Sequence, residues 1–267
     1  MGGGGGGRGG GLARTGSRLP VTAVAFLGEG VVLAGSGGEL TAYSVATQAE
    51  EWRVEVFSGA RIHGIAVDGE RAVVYGSKSW AVVSGGRVEY ACEEDDWIKA
   101  AQWIGGDIAL VLAHNRLRVC SADSGRTVHE ARCEEPCILY AAAVWGDSLD
   151  SLAVAAGTVF NQVLVWRRDG RVVHRLRGHA GVVFGVAFSA DGAALASVSD
   201  DRSVRVWALP PAADRPPLAL YGHRTRVWRC AVAGGLLVTA GEDGTVRVWD
   251  RGCAGQPVAT WRQCKKN

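Results

Sequence analysis

Six segments of the chain share one pattern, in which apolar and small residues occupy nearly every position. Each segment is followed by a second short apolar run, by a third run after a small turn, and by a more polar fourth run. The runs are short, rich in valine and separated by Gly, Asp, Asn and Ser, so they predict antiparallel β-strands and not helices. The six segments are VTAVAF from residue 21, IHGIAV from 62, IKAAQW from 98, LYAAAV from 139, VFGVAF from 183 and VWRCAV from 227.

These segments recur at intervals of 41, 36, 41, 44 and 44 residues. A four-stranded unit that repeats about every 40 residues is typical of a β-propeller. The sequence therefore predicts an all-β fold of six four-stranded blades over residues 19–262, with essentially no helix.

The two ends of the chain bear on whether the ring closes. Residues 1–18 are dominated by glycine and predict a disordered tail, and residues 263–267 are assigned to a second tail. No strand is evident before Pro20 that would complete the last blade, and the repeats end with one outer strand at about 257–262. We therefore expect an incomplete or open ring, in which blades one and six keep exposed edges that favour aggregation.

The last two units repeat an acidic turn followed by a Val-Arg-Val-Trp strand, in SVSDDRSVRVWALP from 197 and TAGEDGTVRVWD from 239. These stretches resemble WD repeats, and the resemblance covers residues 19–262 as a fold. In WD repeats a His, a Ser or Thr, an Asp and a Trp form a buried hydrogen-bonded chain. The resemblance implies two such structural sets, which are His179, Ser197, Asp201 and Trp207, and His223, Thr239, Asp243 and Trp249.

A catalytic triad also combines His, Asp and a hydroxyl residue, but here the set recurs once per unit, which favours a structural role. The remaining units are degenerate. Phe160 stands at the Asp place six residues before Trp166, and in the third unit His114 and Cys120 stand at the Asp and Trp places. We expect such units to be held by apolar packing alone.

Composition narrows the functional classes. The chain has 29 basic and 27 acidic residues, which argues against a strongly basic nucleic-acid binder. Seven cysteines at irregular spacings predict buried thiols in a reducing cytosol and not a zinc site, so the expected location is cytoplasmic. The sequence has no run of 18 apolar residues and no signal peptide, so we expect no membrane insertion.

A closer resemblance rests on less generic pieces, which occur in the order LPVTAV, YGSKS, DDWIKAAQWIGGDIALVLAHN, NQVLVW, DDRSVRVW and GHRTRVW. Together they resemble the amino-terminal propeller of the large WD-repeat proteins that partner a tRNA ribose 2′-O-methyltransferase acting at the anticodon wobble position. Members of that family are several times longer and contain more than one propeller. The resemblance therefore implies an amino-terminal fragment or a short isoform, with the methyltransferase subunit as its partner and tRNA as a candidate second partner.

Propellers usually bind partners on the face formed by the turns that enter the first strands and the turns between the second and third strands. The residues that precede the six first-strand segments are Pro20, Arg61, Trp97, Ile138, Val182 and Arg226, and Arg224, Asp200 and Glu242 are assigned to the same face. A Trp with several Arg residues is typical of interface hot spots and is suited to stack on bases and contact phosphates. The candidate partner- or RNA-binding residues are Arg61, Trp97, Arg224 and Arg226. In the alternative, Trp97 lies inside the channel and the arginines are simply solvated.

Three functional hypotheses follow. The first is a non-catalytic subunit that positions tRNA or its methyltransferase. The second is a general protein-interaction scaffold in signalling, trafficking or ubiquitin-ligase substrate recruitment, which needs only the propeller. The third, an enzyme, is disfavoured because the sequence offers no glycine loop for a methyl donor, no metal cluster and no helices for a cofactor fold. We therefore expect no catalytic residues, no cofactor and no small-molecule substrate.

Overall fold

The computed structural model describes residues 19–212, 216–250 and 256–262. Within these ranges every regular element is a β-strand, and 24 strands form six separate antiparallel sheets of four strands each. The predicted all-β architecture of six four-stranded blades is confirmed. The two tails expected at 1–18 and 263–267 lie outside the described residues.

Each blade is a meander, so that strands consecutive in sequence are hydrogen-bonded neighbours. Blade 1 contains β1 (Val21–Leu27), β2 (Val31–Ser36), β3 (Glu39–Ser44) and β4 (Glu50–Glu55). Blade 2 contains β5 (Gly64–Asp68), β6 (Arg71–Gly76), β7 (Ser79–Ser84) and β8 (Arg87–Glu93). Blade 3 contains β9 (Ile98–Ile104), β10 (Asp107–Leu112), β11 (Arg116–Ser121) and β12 (Thr127–Arg132).

The other three blades follow the same order. Blade 4 contains β13 (Leu139–Trp145), β14 (Ala153–Thr158), β15 (Gln162–Arg167) and β16 (Val172–Arg177). Blade 5 contains β17 (Val183–Phe188), β18 (Ala194–Ser199), β19 (Val204–Ala208) and β20 (Leu218–Leu220). Blade 6 contains β21 (Val227–Ala233), β22 (Leu236–Gly241), β23 (Thr245–Asp250) and β24 (Ala259–Arg262).

The first strands β1, β5, β9, β13, β17 and β21 pack next to one another in this order and line the central channel. Apolar side chains between the blades form five buried clusters, one at each junction from blades 1 and 2 to blades 5 and 6. At the last junction, Val204 and Leu220 of blade 5 meet Leu237 and Trp249 of blade 6. Burial of these sheet faces is the main source of the stability of the fold.

The outward face of blade 6 has no such neighbour. Val246 and Trp261 of this blade are cross-strand partners, as Val204 and Leu220 are at the same places in blade 5. Val246 is 38% and Trp261 58% exposed, whereas Val204 and Leu220 are 0% and 1% exposed. Blade 6 therefore presents an apolar face of the kind that every other junction buries.

Blade 1 likewise exposes apolar side chains on the side where it has no neighbouring blade. Val24 and Phe26 of β1 are 66% and 68% exposed, although their places in blade 5, Val186 and Phe188, pack against the cluster shared with blade 4. No sixth cluster joins blade 6 to blade 1 among the described residues. Over these residues the ring is open, in agreement with the expectation from sequence.

Candidate binding face at the channel mouth

The hydrogen-bonded set of blade 5 joins a loop, two strands and a turn. His179 Nδ1 lies 3.0 Å from Asp201 Oδ2, and its Nε2 lies 2.8 Å from the Ser197 hydroxyl. The indole N–H of Trp207 donates to the same hydroxyl at 2.8 Å. The structure thus brings together the four side chains that the WD-repeat resemblance placed in one set.

Blade 6 repeats this arrangement. His223 Nε2 lies 2.8 Å from the Thr239 hydroxyl, to which the Trp249 indole N–H donates at 2.9 Å. His223 Nδ1 lies 3.2 Å from both carboxylate oxygens of Asp243. Because the same three contacts among four side chains occur in two successive blades, they are a property of the repeat.

Each set has a fifth member that sequence reasoning missed. The Ser203 hydroxyl donates to Asp201 Oδ1 at 2.6 Å, and the Thr245 hydroxyl donates to Asp243 Oδ1 at 2.6 Å. Burial opposes ionisation of both aspartates, but the hydrogen bonds that they accept outweigh it, and the pKa of each lies well below its usual range. The available signal was the hydroxyl residue two positions after each turn Asp.

These sets are arranged to hold the blades together. The hydroxyl residues Ser197 and Thr239 are 0% and 1% exposed, so both are shielded from solvent. A buried network of this kind fixes the turn against the strands and specifies one packing arrangement.

Blade 3 lacks the set, and the expectation that apolar packing alone holds the degenerate blades is wrong for it. Glu94 occupies the place of the His, four residues before the first strand. Its carboxylate accepts the indole N–H of Trp80 at 3.1 Å and pairs with Arg118. Burial raises the pKa of Glu94, while Arg118 and the Trp80 hydrogen bond oppose that rise. The glutamate is therefore the centre of a buried ionic substitute for the histidine network.

Neighbouring ion pairs extend this substitute. Asp95 pairs with Arg116, and Asp96 Oδ2 lies 2.9 Å from His114 Nδ1. Arg116 also reaches Glu130 at 3.4 Å. The signal in the sequence was an acidic run in the loop before β9 facing alternate arginines in β11, and we expected only apolar contacts there because the WD pattern was absent.

Blade 4 retains the tryptophan but not its partner. Trp166 is fully buried, and its indole N–H has no hydrogen-bond acceptor among the described residues. In blades 5 and 6 the acceptor hydroxyl lies two residues after the strand partner of the tryptophan. In blade 4 that position is Ala156, since Trp166 pairs with Val154.

Ala156→Ser is therefore expected to stabilise the protein by about 1 kcal/mol, because it supplies an acceptor to a buried donor. The rise in melting temperature should be about 2–4 °C in a thermal unfolding experiment. Ala155→Ser is the matched control, since Ala155 is as buried but lies on the opposite face of β14. A melting temperature that does not rise in Ala156→Ser, or that rises equally in both variants, would contradict the register.

The structure places the predicted binding residues at one end of the channel. Arg61 is exposed, and Trp97 is 48% exposed with its ring near-parallel to that of His63, at an interplanar angle of 13° and a centroid separation of 6.4 Å. Arg224 has an exposed side chain, and its backbone N–H donates to Asp243 at 2.9 Å.

Arg226 is less free than its position before the strand suggested. Its Nε lies 3.3 Å from Asp200 Oδ1 and 3.2 Å from Glu242 Oε2, and its guanidinium lies 5.6 Å from the centroid of the Trp228 ring. The arginine thus links the turns of blades 5 and 6. It is half exposed, so these pairs contribute little to stability, but any anion that binds Arg226 competes with two carboxylates.

A second column of residues, which sequence reasoning missed, lines the same end of the channel. It consists of the second residue of each first-strand segment. The column contains Thr22, His63, Lys99, Tyr140, Phe184 and Trp228. In five of the six blades the strand register shifts at this residue, leaving it without a cross-strand partner. A β-bulge of this kind re-aims a side chain, and the column was visible in the six aligned segments.

Three members of the column form an aromatic row. The Tyr140 and Phe184 rings meet edge to face at a centroid distance of 5.3 Å, and Phe184 and Trp228 lie 4.5 Å apart. Tyr140 and Trp228 are both substantially exposed, whereas Phe184 is buried between them. We call Trp97 together with this column the channel mouth.

Charges of both signs lie near the channel mouth, because Asp200 and Glu242 pair with Arg226 and Asp96 acts on Lys99. Burial lowers the pKa of His63, and Arg229, Lys99 and Arg61 lower it further. Burial also lowers the pKa of Lys99, with an opposing effect of Asp96 and a reinforcing effect of Arg229. Among the described residues no carboxylate lies within ion-pair distance of Arg61, Lys99 or Arg229. The mouth therefore combines exposed aromatic faces with unpaired cations.

Other chemistry is sparse in the described part of the chain. No group of three or more His, Cys, Asp or Glu side chains there is arranged to hold a metal ion. Among the same residues no helix is long and apolar enough to cross a membrane. The five described cysteines are free thiols.

Comparison with known proteins agrees with this geometry. The family model described as "WD domain, G-beta repeat" matches residues 170–208 and 215–250, which carry the two histidine sets. The proteins named tRNA (34-2'-O)-methyltransferase regulator WDR6 from Homo sapiens and Bos taurus are 31% and 33% identical over 86% of this chain. The protein of the same name from Drosophila melanogaster is 28% identical over 60% of it.

The chain spans 24% of the length of the human and bovine relatives and 20% of the Drosophila one. Two matched repeats, two complete hydrogen-bonded sets and six four-stranded blades lead to one assignment. This chain belongs to the WD40-repeat family of β-propeller proteins.

Proposed function

We propose that this chain is a non-catalytic WD-repeat subunit that supports 2′-O-ribose methylation at position 34, the wobble position, of tRNA by binding the methyltransferase, tRNA or both. The observation that carries the proposal is the similarity, over 86% of the chain, to proteins named as regulators of a tRNA (34-2'-O)-methyltransferase. The buried polar networks hold the strands and turns of the propeller in one arrangement, and a rigid fold of this kind is suited to holding partners in place.

The channel mouth is the surface we assign to this role. Arg61 and Trp97 have no core position to fill, and both side chains are exposed. Arg and Trp are the residue types that dominate binding hot spots. The second candidate function is a general interaction scaffold in signalling, trafficking or ubiquitin-ligase recruitment, and the same fold would serve it equally.

The triple substitution Arg61→Ala, Trp97→Ala and Arg226→Ala is expected to separate binding from folding. The melting temperature should change little, since the ion pairs lost among the described residues are the exposed ones of Arg226. Capture of the methyltransferase or of tRNA should weaken, and methylation at position 34 should fall in cells that contain only the variant. The readouts are affinity capture and quantification of the modified nucleoside.

A matched control changes residues of the same types on the outer strands. The control is Arg87→Ala, Arg132→Ala and Trp261→Ala, which lie on β8, β12 and β24 and are exposed. It should leave capture and methylation unchanged. A normally folded triple variant that still supports full methylation at position 34 would show that this face is not the one that matters and would favour the general scaffold.

A further inference from the structure

Four members of the bulge column lie outside the buried apolar clusters that join the blades. His63, Lys99, Tyr140 and Trp228 lie at the second position of their segments, and each is at least partly exposed on the channel side. In a regular antiparallel meander these positions would pair across the sheet, yet the register skips Lys99, Tyr140 and Trp228. Four different bulky or charged residues at one structural position point to a shared ligand and not to a shared packing requirement.

Two aromatic members of the mouth, Trp97 and Trp228, are partly exposed. The Trp97 ring lies near-parallel to that of His63 at a centroid separation of 6.4 Å, and about half of its surface is exposed. Trp228 packs against Phe184 and carries the Arg226 guanidinium near its ring. Planar rings that are held by neighbours and still exposed are the platforms on which unpaired bases stack.

His63 fits the same use. The backbone N–H of Ser77 lies 3.3 Å from His63 Nδ1 and donates to it, so in the neutral ring the proton is on Nε2. Burial and the charges of Arg229, Lys99 and Arg61 lower the pKa of His63, which favours the neutral imidazole. A neutral ring stacks and still donates one hydrogen bond to a base edge.

The cations of the mouth offer positive charge, which an apolar protein partner would not need. Burial lowers the pKa of Lys99, Asp96 opposes that fall, and Arg229 adds to it. Neither Lys99 nor Arg229 has a carboxylate within 4.0 Å among the described residues, so both can attract a bound anion. Alternating ring faces and unpaired cations match the bases and phosphates of a nucleic-acid strand, whereas an acidic peptide would leave the rings unused.

We infer that the channel mouth binds unpaired nucleotides of an RNA strand, with bases stacked on Trp97 and Trp228 and phosphates contacted by Lys99, Arg229 and Arg61. The choice of RNA over DNA rests on the proposed function in tRNA methylation. The stacking and phosphate contacts themselves rest only on the geometry of the mouth.

The test uses the purified chain and a short fluorescein-labelled RNA of mixed sequence, as a single strand and as a duplex of equal length, with fluorescence anisotropy as the readout. The single strand should bind more tightly than the duplex. Trp97→Leu and Trp228→Leu should each weaken single-strand binding by about 5- to 150-fold, because loss of one stacked base costs about 1–3 kcal/mol. Trp261→Leu, an exposed tryptophan on β24, is the control and should have no effect.

Salt dependence tests the cations separately. A plot of the logarithm of the binding constant against the logarithm of salt concentration has a negative slope. Lys99→Gln combined with Arg229→Gln should make that slope less negative by about 1.4, since each phosphate contact on a single strand contributes about 0.7. Melting temperatures of all variants should stay close to that of the unchanged protein, which excludes loss of fold as the cause.

Three results would overturn the inference. They are single-strand binding that is absent, binding that Trp97→Leu and Trp228→Leu leave unchanged, and equal affinity for single strand and duplex. If RNA does not bind but these variants lose capture of the methyltransferase, the mouth is a protein site and the proposed function survives. If RNA binds as expected but methylation at position 34 is independent of this protein, the inference stands and the proposed function fails.

Discussion

Arg118→Met should lower the free energy of unfolding by about 3 kcal/mol at pH 8, the largest single-residue effect that we expect. The change leaves the carboxylate of Glu94, whose side chain is 3% exposed, without its charged partner. Breaking a buried ion pair by removing one member costs about 3–5 kcal/mol. The partial exposure of Arg118 and the remaining hydrogen bond from Trp80 place the expected loss at the lower end of that range.

The loss should depend on pH in a defined direction. The pKa of Glu94 is already raised, and removing Arg118 raises it further, because the arginine opposes the effect of burial. A carboxyl whose pKa is higher in the folded than in the unfolded state costs stability as pH rises through the folded pKa. Denaturant unfolding at pH 5 and pH 8 should therefore show a smaller loss at pH 5.

The control for Arg118→Met is Glu130→Gln, which removes an exposed partner of the same arginine. An exposed pair contributes about 0–1 kcal/mol, so this change should be nearly neutral. A second variant, Arg118→Met with Glu94→Gln, should regain part of the stability because the amide oxygen still accepts the Trp80 indole N–H. Equal losses from Arg118→Met and Glu130→Gln would contradict the ionic network as the support of blade 3.

Asp243→Ala is the second large effect, with an expected cost of about 1–3 kcal/mol. The carboxylate accepts hydrogen bonds from the Thr245 hydroxyl and backbone and from the backbone N–H of Arg224, besides its contact with His223. Alanine leaves buried donors unsatisfied, which carries the full cost of their desolvation. Thermal and denaturant unfolding of the variant measure the loss.

Asp200→Ala tests the register of the turn. Asp200 directly precedes the matching aspartate of blade 5, is exposed, and pairs only with the half-exposed Arg226 among the described residues. Its loss should change stability by less than about 0.5 kcal/mol. Equal destabilisation by Asp243→Ala and Asp200→Ala would show that the solvent-facing and buried positions of the turn had been exchanged.

The folded-state pKa of Asp243 predicts when its contribution disappears. That pKa lies well below the usual range because of the hydrogen bonds that the carboxylate accepts, against the effect of burial. Stability from such a group is present above the unfolded pKa, near 4, and declines as pH falls through the folded value. The difference between the unchanged protein and Asp243→Ala should therefore narrow below about pH 4.

The six blades could be predicted from the sequence because each one repeats similar strand lengths and a similar pattern of buried positions. Val163 and Val204, for example, occupy the same place in β15 and β19, and the strand alternation predicts that both are buried, as they are. The histidine sets were accessible for the same reason, since four residue types at fixed spacing repeat in blades 5 and 6.

The buried ion pair of Glu94 and Arg118 in blade 3 could not be predicted from the repeat pattern of the sequence. Glu94 and Arg118 are 24 residues apart, and each is unremarkable by itself in a charged surface strand or loop. Only the fold shows that both positions coincide with those of His179 and Arg205 in blade 5. Charged residues such as these indicate a buried ion pair only when the degenerate blade is aligned with the other blades by its strand positions. A search for the WD consensus residues does not detect them.

The channel column shows a different limit. Lys99 and Trp228 were present in the aligned segments, but an alternating strand pattern assigns every second residue to a sheet face and has no place for a bulge. The bulge is a departure from that pattern, so periodicity could not predict that these side chains turn toward the channel. The sequence pattern instead predicts binding at the residue that precedes each segment. At one of these positions, Arg226, the structure shows two carboxylates that would compete with a bound anion.

The most direct test of the account is to deplete this protein in its own cells and measure 2′-O-methylation of tRNA at position 34 by mass spectrometry of the modified nucleosides. We predict a loss of methylation at that position, restoration by the unchanged protein, and incomplete restoration by the variant with Arg61→Ala, Trp97→Ala and Arg226→Ala. Methylation that is unaffected by depletion would contradict the account.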